Sequence, residues 1–153
     1  MRKDLQERKR SDYGFFLSYR TRWSDNDQYA HVNNSIYYHL FDSIINTYLI
    51  THCQLSPTHS SLIGLVISSF SEFFSPISFP AIVDLGLRVN KLGTSSVTYE
   101  VGVFEEGKDS PSAVGGYTHV FVDNQSRKST PIIPETREGL SKLCSSPPVP
   151  AKL

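Results

Sequence analysis

At 153 residues the chain is long enough for one domain with a sizeable core. Its 15 Lys plus Arg balance 15 Asp plus Glu, so no charge excess points to nucleic acid or to an acidic membrane surface as a partner. The longest apolar run, residues 62–67, is far shorter than the ~20 residues needed to span a bilayer.

Residues 1–14 carry a dense mix of basic and acidic side chains with no apolar segment of the secretory type, and they read as a solvated, flexible arm. Cys53 and Cys144 stand far apart without metal-ligand spacing, which fits a reducing compartment, the cytoplasm ahead of the mitochondrial matrix. Residues 15–23 alternate as a first strand, and residues 24–33 form a loop without period. From residue 34 to about 53 the pattern changes. Tyr37, Leu40, Phe41, Ile44, Ile45 and Tyr48 recur at spacings of three and four, the mark of an amphipathic helix. Asn33 or Asn34 suits its N-cap. Ile36, Tyr38 and Leu49 widen the apolar stripe and predict burial on more than one side.

Pro57 breaks the chain before four strand-like segments. Residues 62–74 form one continuous, largely apolar segment, as a central strand does. Residues 82–92, 95–106 and 115–123 alternate, with short turns at Gly93-Thr94 and Gly107. Pro134 opens a short helix to about residue 143, and residues 145–153 form a Pro-rich tail. Strand, long helix, four strands and short helix predict an α+β layer architecture in one domain over residues 15–143.

The chemistry concentrates in Arg22-Trp23-Ser24-Asp25-Asn26-Asp27-Gln28-Tyr29-Ala30-His31-Val32-Asn33-Asn34, immediately before the long helix. A helix N-terminus offers free N–H donors and favours negative charge, so a carboxylate placed there sits beside a ready oxyanion site. Taken singly, each member has a plainer use. Asp25 and Asp27 suit a polar turn, His31 a packing role, and Asn33 or Asn34 a cap. The five histidines never form the His-Glu-x-x-His pattern of a zinc hydrolase helix, and no phosphate loop or Gly-x-Ser-x-Gly is present.

The segment from Arg22 through Ile36-Tyr37-Tyr38-His39-Leu40-Phe41-Asp42 closely resembles the signature of hotdog-fold acyl-CoA thioesterases of the 4-hydroxybenzoyl-CoA thioesterase-like branch. Phe73-Phe74-Ser75-Pro76, Phe79-Pro80 and Tyr117-Thr118-His119 resemble further family segments, and the likeness spans roughly residues 12–143. It implies an antiparallel sheet wrapped around one long central helix, usually paired as a homodimer or homotetramer. It implies hydrolysis of an acyl-CoA substrate without a cofactor or metal. Residue by residue, it places the catalytic carboxylate at Asp27, with His31 and Asn34 in the same turn. Tyr37 and Asp42 fall on the helix as substrate-binding positions. Arg88, Lys91, Arg127 and Lys128 are candidates for a rim that contacts CoA phosphates. Ala30 stands where Gly is common, which predicts a tighter or reoriented turn. Ser68 and Phe70 stand where many bacterial relatives carry Glu and Arg, which weighs against a second catalytic carboxylate. The rival expectation is a non-catalytic hotdog protein that binds acyl groups or partner proteins.

Overall fold

The computed structural model describes residues 2–144. Five antiparallel strands form one sheet: β1 (Phe15–Arg20), β2 (Leu62–Phe73), β3 (Ile82–Leu92), β4 (Ser96–Glu105) and β5 (Ala113–Asp123), in the order β1-β3-β4-β5-β2. The long helix α2 (Asn34–His52) lies on one face, and a short α3 (Pro134–Ser141) closes one end. This is the α+β arrangement expected from the element order.

Spacing sets the packing of α2. Tyr37, Leu40, Phe41, Ile44, Ile45, Tyr48 and Leu49 are buried, with Phe41, Ile44 and Ile45 fully enclosed. Each such burial contributes about 1.5–3 kcal/mol. They meet Leu85, Leu87 and Val89 of β3 and Tyr99, Val101 and Val103 of β4 in one core. Gly115 lets the helix approach the sheet closely: a Cβ there would fall 2.5 Å from the Phe41 ring. The widened stripe is only partly used, for Tyr38 stays 38% exposed.

β1 ends at Arg20 rather than at residue 23, because its partner β3 begins at Ile82, opposite Arg20. The chain then turns into a 3₁₀ segment, Trp23–Asp25.

Two sequence expectations need correction. Residues 2–14 are not a free arm. Helix α1 (Arg2–Gln6) buries Leu5, and Tyr13 is buried across Gly86 and Gly102 on the sheet face opposite α2. Arg8 forms a two-bond ion pair with the buried Glu100, and Arg10 reaches Asp84 at 2.8 Å and the Glu105 and Lys108 carbonyls. The arginines that read as solvated find acids and carbonyls more than seventy residues away, which no local pattern reveals. The predicted Pro-rich tail, residues 145–153, lies outside the described residues.

The second correction concerns β2. Its apolar run predicts a central strand, yet β2 pairs only with β5 and forms an edge of the sheet. Leu65, Val66 and Ile67 are 39%, 50% and 63% exposed there, and the ladder is irregular at Ile67.

Candidate active site

The turn before α2 is built around Asp25. Its carboxylate is fully buried and accepts from the Tyr19 hydroxyl at 2.8 Å, the Arg22 amide at 2.8 Å and the Arg22 guanidinium at 3.0 and 3.2 Å. Burial alone would raise its pKa, but the Arg22 amide, the Tyr19 hydroxyl and the Arg22 guanidinium outweigh this and hold it below the ordinary carboxylate value. The Asp25 carbonyl accepts from the Asn33 amide at 2.8 Å, which fixes the start of the helix.

Asp27 is placed differently. It is half-buried, its Oδ1 accepts from the Tyr29 amide at 2.8 Å, and its Oδ2 meets no donor among the described residues. The intervening turn closes through Asp27 N to His31 O at 2.8 Å and Ala30 N to Asp27 O at 3.1 Å. Ala30 adopts φ +63°, the left-handed conformation that Gly takes without steric cost, so the turn keeps a Gly-type backbone despite the methyl group.

Asn33 is the N-cap: its Oδ1 accepts from the Ser35 amide at 3.0 Å. The helix-start donors narrow as a result. The Val32 amide bonds the Ile77 carbonyl at 2.7 Å and the Asn33 amide bonds Asp25, whereas the Asn34 amide meets no acceptor among the described residues. The Val32–Ile77 bond also brings the segment after β2 against the turn.

Together these elements enclose a cleft of about 550 Å³ that contains Asp27, His31, Asn34 and Tyr37, with Tyr29, Phe73, Phe74 and Pro76. Tyr37 packs edge-on against Phe73 at 5.0 Å, and burial, with a smaller push from Glu105, raises its hydroxyl to about 12, so it stays a protonated donor at neutral pH. The cleft is thus lined by aromatic side chains together with Asp27, which keeps one oxygen without a donor, and Asn34, whose helix-end N–H is unpaired among the described residues.

Of the residues singled out from sequence, Asp27, His31, Asn34 and Tyr37 meet in this cleft. Asp42 does not line it; it lies two helical turns further along α2 and accepts from the Tyr117 hydroxyl at 2.9 Å. The cations do not form one rim. Arg88 lies against Ser11–Gly14 and the end of α3, Lys91 sits near the end of β3, and Arg127 and Lys128 belong to the turn after β5. None of the four lines the cleft. Tyr29, 72% exposed, lines the cleft as well, as do Phe73, Phe74 and Pro76, none of which the sequence analysis placed in the site; for Tyr29, its place between Asp27 and His31 is the signal that points to it. Among the described residues, no three His, Cys, Asp or Glu side chains cluster as a metal site, and no helix is long and apolar enough to cross a membrane.

Comparison with known proteins agrees with this geometry. The profile of the thioesterase-like superfamily matches residues 21–140. The chain belongs to that superfamily. A search of curated proteins returned no match. Among solved structures, the PA5185 protein from Pseudomonas aeruginosa strain PAO1 is 45% identical, with TM-score 0.89, covering 91% of this chain and 97% of its own. The PA2801 protein from Pseudomonas aeruginosa is 26% identical, with TM-score 0.75, over 80% of this chain and 95% of its own. Slr0204, a 1,4-dihydroxy-2-naphthoyl-CoA thioesterase from Synechocystis, is 13% identical and shares the fold, with TM-score 0.75 over 82% of this chain and 94% of its own. The fold of this thioesterase-superfamily chain is the hotdog: an antiparallel sheet around one long helix.

Proposed function

We propose that this chain hydrolyses acyl-CoA thioesters, with Asp27 as the catalytic carboxylate. The observation that carries the reading is the free Asp27 Oδ2 in an aromatic cleft that also holds the unpaired Asn34 amide at the start of α2. Superfamily membership supports it, as does the CoA thioesterase that shares the fold.

The acyl group lies along Tyr37, Phe73 and Phe74, with its carbonyl oxygen toward the Asn34 N–H and the positive end of the helix. In the general-base route, a water adds to the carbonyl carbon while Asp27 takes its proton. The tetrahedral oxyanion collapses, the carbon–sulfur bond breaks, and the leaving thiolate recovers the proton from Asp27. In the nucleophilic route, Asp27 adds directly, expels the thiolate, and water then cleaves the mixed anhydride. His31, at the cleft wall, orients the turn or the thioester.

The working unit is a homodimer or higher assembly. The unpaired edge of β2 and its exposed Leu65, Val66 and Ile67 favour addition of a second copy along that edge, where Phe73 already lines the cleft. Only monomer in sedimentation at micromolar concentration, with full activity, would contradict this. The hydrolase reading is tested by thiol release across a panel of aliphatic and aromatic acyl-CoA thioesters. Turnover of at least one is expected. No turnover of any, with acyl-CoA still bound, would turn the assignment toward an acyl-binding protein.

A further inference from the structure

The face of the sheet opposite α2 carries a second cavity, of about 390 Å³, between Arg88 of β3, the segment Ser11–Gly14, and Lys142 and Cys144 after α3. Tyr13 and Gly14 place it at the start of β1, whereas Asp27 follows the end of that strand. Six residues of strand separate the two, roughly 20 Å.

Charge is unbalanced here. Glu100 lies directly across the ladder from Arg88 and is fully buried. Its oxygens, however, are taken by Arg8 at 2.9 and 3.0 Å, the Tyr13 hydroxyl at 2.7 Å and the Asn90 amide at 3.1 Å. Arg8 neutralises Glu100, and Arg88 takes no share of it. Asp12, at the cavity margin, gives its carboxylate to the Lys9 amide at 2.8 Å and offers Arg88 only its carbonyl, at 3.4 Å from Nη1. The Arg88 Nε is buried and has no hydrogen-bond partner. Lys142 is exposed on the same cavity and forms no ion pair among the described residues.

A guanidinium with no acid partner among the described residues, beside a second cation in a cavity, has the donor set that recognises a tetrahedral oxyanion. We propose that this cavity binds the phosphate of a small phosphomonoester. Arg88 supplies its Nη donors, Lys142 supplies a point charge, and the remaining volume takes the organic group. The ligand ties three parts of the chain together: the docked N-terminal segment, β3 and the end of α3. This site is independent of the reaction in the Asp27 cleft.

The test uses the full chain in thermal-shift and calorimetric titrations with inorganic phosphate and with ribose 5-phosphate, against sodium chloride at matched ionic strength. A saturable rise in Tm of about 3–6 °C at ten times the dissociation constant is expected. It is retained in Asp27→Asn and lost in Arg88→Gln and in Lys142→Gln. Binding of ribose 5-phosphate but not of inorganic phosphate still supports the site; binding of inorganic phosphate alone overturns the phosphomonoester. A rise no larger than that in sodium chloride overturns it altogether, and so does a rise that survives both substitutions. Where Arg88→Gln fails to fold, the exposed Lys142→Gln decides alone.

Discussion

Asp25 and Asp27 stand two residues apart in one turn and share a side chain, yet the fold puts them to opposite uses. Asp25 is enclosed, and four bonds from Tyr19 and Arg22 saturate it. Asp27 is half-exposed, holds one backbone amide, and keeps an oxygen free in the cleft. A saturated buried carboxylate has no lone pair with which to take a proton or attack a carbonyl, so it acts as an anchor. An acid with an open oxygen beside a helix N-terminus can do chemistry at modest cost to stability. The turn therefore divides into a rigid foundation and an open rim, where the proposed chemistry is placed.

The largest expected effect lies on the rim. Asp27→Asn should lower kcat/KM by about 10²–10⁴-fold, as removal of a general base does, with Tm nearly unchanged. The comparison breaks if Tm falls and activity does not.

Acid unfolding sharpens the comparison, provided a larger contribution is first separated. His119 is 4% exposed, and burial among Tyr99, Tyr117 and Phe121 pushes its pKa from 6.5 to about 4, against a smaller upward pull from Asp42. Below pH 6.5 the unfolded chain takes up a proton that folded His119 refuses. Stability is therefore complete above 6.5 and falls, by about 3 kcal/mol in all, until about pH 4. In His119→Asn this limb should flatten, as read by urea unfolding at successive pH values.

Asp25 acts in a lower window. Its folded pKa is depressed below 3.8, so its stabilisation is present above that value and is lost as pH falls through the folded one. Asp25→Asn should cost about 2 kcal/mol at neutral pH, since bonds to a charged acceptor contribute roughly 1.5–3 kcal/mol. It should also erase that lowest limb. Measured well below its Tm, its kcat/KM should fall far less than that of Asp27→Asn. Equal activity losses in the two variants would mean that the turn acts as one unit.

The smallest effect concerns the backbone between the two regions. A left-handed conformation costs an L-residue roughly 1–2 kcal/mol, and Gly returns about 0.4–1 kcal/mol of that through unfolded-chain entropy. Ala30, at φ +63°, should therefore gain up to about 1 kcal/mol on substitution by Gly, read as a higher urea midpoint.

What was legible in the sequence was local. The spacing of α2, its cap and the dense turn before it are written in neighbouring residues, and these placed Asp27, His31, Asn34 and Tyr37 in one cleft. What was not legible depends on partners far along the chain. Arg8 and Arg10 look solvated until Glu100 and Asp84 come under them. Arg88, Lys91, Arg127 and Lys128 look like one basic set, but strand order disperses them. The apolar run of β2 reads as a buried central strand, but strand order leaves it at an edge, and among the described residues no strand pairs with its outer side.

The central claim is that Asp27 performs chemistry rather than binding. It is tested most directly by mixing folded Asp27→Asn with the best acyl-CoA substrate, measuring its equilibrium dissociation constant by calorimetry and counting the thiol released over the same period. Binding within a few-fold of the wild type is expected, with thioester that stays intact. Thiol release at the wild-type rate from the bound, folded variant would contradict it.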